Sequence, residues 1–128
     1  MTEAVRCRVL LVDDEAIIRR ALRRLLEPQH EVVLAESGES ALASMRSGEH
    51  YDVILCDLMM PDMTGMELYE RLIAEQSPYA ERMIFMTGGA CSKRSRDFLE
   101  DCARPVIEKP IERTALLHAL ASVAAPPA

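Results

Sequence analysis

The chain has 128 residues, 49% of them hydrophobic, and a formal net charge of −6. That size and apolar content suit one domain spanning residues 1–128, with a core of about 7–124. The acid excess argues against nucleic-acid binding through a broad basic surface, no apolar run approaches a membrane span, and the N-terminus carries no signal-peptide pattern.

After a lead over residues 1–6, Arg8 to Val12 reads as a buried strand ending at Asp13, Asp14 and Glu15. A helix is predicted from Glu15 to Glu27, with Ile17, Ile18, Ala21, Leu22, Leu25 and Leu26 at helical spacing. Pro28 stops it. Between those apolar positions lie Arg19, Arg20, Arg23 and Arg24, a stripe that reads first as a solvated surface and second as a docking face for an acidic partner. Glu31 to Ala35 is a second strand. Ser37 is placed to cap a helix from Gly38 to about Arg46, which Gly48 ends.

Val53 to Cys56 is an apolar run that stops abruptly at Asp57, followed by the breakers Pro61, Asp62 and Gly65. Thr64 and Glu67 match a capping box, so a helix is expected from about Gly65 to Gln76, burying Met66, Leu68 or Tyr69, Leu72 and Ile73. Met59, Met60, Met63 and Met66 read as loop and core packing. Arg82 to Met86 is the fourth strand, leading to Thr87, Gly88 and Gly89. A short polar helix is expected from Ser92 to Asp101 with Phe98 and Leu99 inward. Val106 to Glu108 is the fifth strand, followed by Lys109 and Pro110. The last helix runs from about Glu112 to Ala124 with Leu116, Leu117, Leu120 and Val123 inward.

Strands alternating with helices imply an α/β fold: a doubly wound parallel sheet covered on both faces, with right-handed crossovers. In such sheets ligands bind at the carboxyl ends of the strands. Parallel strands bring Asp13, Asp14, Asp57, Thr87 and Lys109 to that one edge. Singly each has an ordinary reading. A strand-ending Asp commonly caps a turn, and adjacent acids stabilise a helix N-terminus. A lone Thr is more often a strand-end hydroxyl, and a lone Lys a surface charge.

Together, in this order and spacing, these residues make the chain resemble the receiver domain of two-component response regulators. The resemblance covers essentially the whole chain and implies a flavodoxin-like receiver fold of five strands, in the order 2-1-3-4-5, with five helices. It implies that Asp57 accepts a phosphoryl group from a phosphohistidine on a histidine kinase or histidine phosphotransfer protein. It further implies Mg²⁺ held by Asp14 and Asp57, by Asp13 through water and by the Met59 carbonyl. Thr87 and Lys109 would contact phosphoryl oxygens, and Gly88 would leave room for the group. The domain would catalyse only its own phosphorylation and dephosphorylation, and Lys109–Pro110 would be cis. Mutual repulsion of the acids leads to the expectation that Asp13→Ala raises stability without metal.

Departures matter too. Val106 stands where many receivers carry an aromatic residue, and Met59 and Gly89 offer no side chain to orient an attacking water. The strings MTGGA and RPVIEKP resemble receivers fused to hybrid sensor kinases. Alternatives are an aspartyl-phosphate phosphatase or phosphotransferase, which needs an acid where Met59 stands, and a phosphorylation-independent interaction module. A flavodoxin-like cofactor binder would meet acids where it needs a phosphate loop. His30, His50 and His118 sit in no catalytic pattern. Cys7, Cys56, Cys91 and Cys102 form no metal or CxxC spacing, which fits a reducing, cytoplasmic setting.

Overall fold

Five strands pair in parallel in the order β2-β1-β3-β4-β5. The chain runs β1 (Arg8–Val12), α1 (Ala16–Leu26), β2 (Glu31–Ala35), α2 (Gly38–Arg46), β3 (Val53–Asp57), α3 (Gly65–Ala74), β4 (Met83–Thr87), α4 (Lys93–Cys102), β5 (Val106–Glu108) and α5 (Arg113–Ala124). The computed structural model describes residues 6–88 and 92–124.

The two-residue period of a strand divides the core into two layers. Leu10, Val12, Ile54, Cys56, Met83 and Phe85 face the layer built with α2, α3 and α4. Val9, Leu11, Val53, Leu55, Ile84 and Met86 face the layer built with α1 and α5. Every β3 residue is buried, as a central parallel strand requires. Each such aliphatic side chain removed from water contributes about 1.5–3 kcal/mol.

Local signals account for the helix ends. Ser37 caps α2 in a reciprocal box with Ser40, and Thr64 does the same for α3 with Glu67. Gly48 follows α2 in a left-handed conformation, φ 93°. Ser92 caps α4 by accepting from the Ser95 amide, so the helix proper starts one residue later than the sequence suggests and reaches Cys102.

Other expectations need correction. Helix α3 ends at Ala74, because Gln76 turns left-handed, φ 55°. Strand β4 is shifted by one residue, since Arg82 belongs to a 3₁₀ turn over Pro78–Arg82 that the sequence reading missed. Arg82 leaves the strand to donate from Nη1 to the Tyr51 carbonyl at 3.0 Å. Ile73, predicted to be buried, is 52% exposed, and of the apolar set at helical spacing in α1, Ile17 is 78% exposed and Ala21 is exposed too.

Candidate functional site

The carboxyl edge of the sheet gathers the predicted residues. Asp13 follows β1 and is fully buried, at 0% exposure. Its Oδ1 accepts from the Glu15 amide at 2.9 Å, and its Oδ2 from Lys109 Nζ at 3.2 Å. Arg19 Nη1 donates to the Asp13 carbonyl at 2.7 Å. Arg19 is therefore not a member of a solvated stripe. Its place six residues after Asp13 was the available signal, but spacing alone does not say where a long side chain goes.

Asp57 ends β3, 6% exposed, opposite Met86 of β4. Lys109 Nζ lies 3.4 Å from its Oδ1. Burial pushes the Asp57 carboxyl above its ordinary pKa, and Asp13 adds to this, against the opposing pull of Lys109 and the Met59 amide. For Lys109, burial disfavours the ammonium, but Asp57 and Asp13 together outweigh it and its pKa is raised. The ammonium is thus held charged between two acids. Exposed Asp14 completes the group: one carboxylate oxygen from each of Asp13, Asp14 and Asp57 lies within 4.8 Å of the others. Three hard oxygen donors this close together suit a small divalent cation.

Thr87 ends β4, and its carbonyl accepts from the Lys109 amide at 2.7 Å. That bond ties the Thr87 strand end to the lysine. Its hydroxyl makes no hydrogen bond among the described residues. The Lys109–Pro110 peptide is cis, as expected. A Cβ at Gly88 would meet nothing within 4 Å. Gly89 and Cys91 lie outside the described residues. The Met59 side chain is exposed, whereas Met60, Met63 and Met66 are core. Val106 pairs with Phe85 at the start of β5 and is 39% exposed.

Sequence reasoning saw Gly65 as a breaker and as the start of a helix, not as a contact of Asp57. In the fold, a Cβ there would approach the Asp57 carbonyl oxygen to 2.6 Å and Leu58 Cα to 3.0 Å. The absent side chain lets α3 begin directly against the backbone that carries Asp57, with the Gly65 amide donating to the Leu58 carbonyl at 2.9 Å. The three histidines stay away from the acids: His30 accepts from the Cys7 amide at 3.0 Å, and His50 pairs with Asp52 at 3.1 Å. His118 lines a groove beside Val106.

Comparison with known proteins agrees with this arrangement. The family model described as response regulator receiver domain matches residues 9–121. The transcriptional regulatory protein BtsR of Salmonella typhi is 33% identical over 123 residues, covering 88% of this chain and 47% of that protein. The sensory/regulatory protein RpfC of Xanthomonas campestris pv. campestris is 29% identical over 119 residues, covering 91% of this chain and 16% of RpfC. The chain thus spans less than half the length of these relatives. Among solved structures, the Vibrio cholerae chemotaxis protein CheY4 is 28% identical with a TM-score of 0.78, covering 93% of this chain and 99% of that one. No helix among the described residues is long and apolar enough to cross a membrane. With its sheet order, its edge of acids and lysine, and a family match over residues 9–121, the chain belongs to the response regulator receiver domains of two-component signalling.

Proposed function

We propose that this domain takes a phosphoryl group from a phosphohistidine onto Asp57, in a Mg²⁺-dependent reaction, and signals through the change in conformation that follows. The observation that carries the reading is the placement of Lys109 Nζ 3.2 Å from Asp13 and 3.4 Å from Asp57, beside three clustered carboxylates. The bond from phosphorus to the donor imidazole nitrogen breaks as a bond to an Asp57 carboxylate oxygen forms, leaving an acyl phosphate. Both reactants are anionic, so the step needs nearby positive charge. Lys109 supplies one cation. Asp14, Asp57, the Met59 carbonyl and, through water, Asp13 would hold Mg²⁺, which would supply further positive charge to the transferring group. The Thr87 hydroxyl, which no described residue engages, donates to a phosphoryl oxygen. Open space beside Gly88 accommodates the group.

The histidine belongs to a partner, a histidine kinase or a histidine phosphotransfer protein. The domain itself catalyses only its own phosphorylation and dephosphorylation. Similarity to RpfC supports a setting in which the domain is fused to a kinase, and Cys7, Cys56 and Cys102, none of them in a disulfide, fit the cytoplasm. The test is incubation of the purified chain with acetyl phosphate, with and without Mg²⁺, read by intact mass. One added phosphoryl group only with Mg²⁺ supports the reading; no adduct, or one indifferent to Mg²⁺, contradicts it.

A further inference from the structure

On the flank of the molecule, away from the carboxyl edge, α3 and α4 leave an open groove of about 540 Å³ between them. One wall carries Tyr69, Glu70 and Ile73 of α3; the other carries Phe98, Asp101 and Cys102 of α4. The floor is aromatic. Phe98 meets the Tyr69 ring edge-on at 5.6 Å and the Phe85 ring at 5.5 Å, and this cluster anchors α4, whose only fully buried residue is Ser95. A half-exposed Ile73 at the rim of such a floor is apolar surface that the domain leaves in water.

The charges at the rim are of one sign. Glu70 and Asp101 are the charged residues lining the groove, both are exposed, and neither makes an ion pair with any described residue. Each stands three residues from an apolar wall residue, Ile73 and Phe98 respectively, so both walls repeat one pattern of apolar floor and acidic rim. The Tyr69 hydroxyl also has no partner among the described residues.

We infer that the groove between α3 and α4 is a docking site for a basic amphipathic helix of a partner protein. An apolar helical face laid into a groove is an established mode of recognition, and arginines on its flanks would answer Glu70 and Asp101. The same acids disfavour nucleic acid and anionic membrane, which carry the wrong charge. The inference is independent of the chemistry at Asp57.

The test uses the whole chain and a fluorescein-labelled helical peptide, leucines at i, i+3, i+4 and i+7 with arginines between, read by polarisation. A matched peptide with glutamates in place of arginines is the control. The arginine peptide should saturate, and the glutamate peptide should not bind. Reversing both rim charges, Glu70→Lys with Asp101→Lys, should weaken binding by at least about tenfold. Reversing Glu27, just after α1, and Glu39, in the first turn of α2, neither of which lines the groove, should leave it nearly unchanged. Ile73→Asp, or the milder Ile73→Ser, should weaken binding without altering the circular dichroism spectrum. Equal loss from both charge reversals reduces the effect to net charge and overturns the inference, as does the absence of saturable binding. Self-association of the chain that Ile73→Ser abolishes also overturns it, because the occupant is then a second copy.

Discussion

Lys109 Nζ bridges Asp13 Oδ2 at 3.2 Å and Asp57 Oδ1 at 3.4 Å, yet the two acids it joins are not equivalent. Asp13 is fully buried and has a protein partner for each oxygen. At Asp57, burial pushes the carboxyl above its ordinary pKa.

That difference sets opposite mutational signs. A carboxyl whose folded pKa is raised contributes stability that is full below the unfolded pKa and lost as pH rises through the folded one. At neutral pH without metal, ionised Asp57 therefore costs stability, and Asp57→Asn should raise the Tm. Asp13→Ala should lower stability by about 1–3 kcal/mol, because it strips partners from the Glu15 amide and from Lys109. This reverses the expectation from repulsion alone. Thermal unfolding in EDTA checks both signs.

Mg²⁺ should stabilise the chain by RT ln(1 + [L]/Kd), about 1.4 kcal/mol at ten times Kd. The cluster of Asp13, Asp14 and Asp57 is the reason, and Asp14→Ala should remove most of the effect. Identical melting curves for the wild type with and without the ion would count against a cation at these acids.

A second pH dependence arises at the opposite end of the sheet. His30 is buried, its Nδ1 accepts from the Cys7 amide, and its pKa is lowered first by burial and then by Arg6. Protonation would turn that acceptor into a donor and break the bond. Because the unfolded histidine binds a proton more readily, stability should fall as pH drops through the unfolded value of 6.5 toward the depressed folded one. Urea titrations from neutral to mildly acidic pH should show the fall, and His30→Asn, which keeps an acceptor without a titrating ring, should flatten it.

Gly65→Ala should destabilise by about 1–3 kcal/mol, since the new methyl meets backbone rather than a flexible side chain. It should also slow phosphorylation by shifting Leu58 and Asp57. Gly88→Ala, with open space around the added carbon, should leave the Tm nearly unchanged. Equal effects from the two substitutions would refute the close approach at Gly65.

Much of this was legible in the sequence for physical reasons. β3 is buried on both faces, so VILC reads as a continuous apolar run whose end marks Asp57. Ser37 and Thr64 announce their helices because capping is local chemistry between residues three apart. Tertiary choices were not legible. Ile17 and Ile73 fit the helical period yet face outward, because a hydrophobic stripe wider than the contact leaves its margin in water. The Pro78–Arg82 turn has no periodicity to reveal it. The bond from Lys109 to Asp13, and the approach of Gly65 to Asp57, depend on chain segments meeting in space.

The central claim is that Asp57 itself receives the phosphoryl group, and it is tested most directly by trapping the adduct. Borohydride reduces an acyl phosphate to the alcohol, which converts the modified aspartate to homoserine. After phosphorylation with acetyl phosphate and Mg²⁺, tandem mass spectrometry should place homoserine at position 57, and the Asp57→Asn chain should yield none at any acid. Homoserine at position 13 or 14 in the wild type, or stoichiometric label on the Asn variant, would contradict the account.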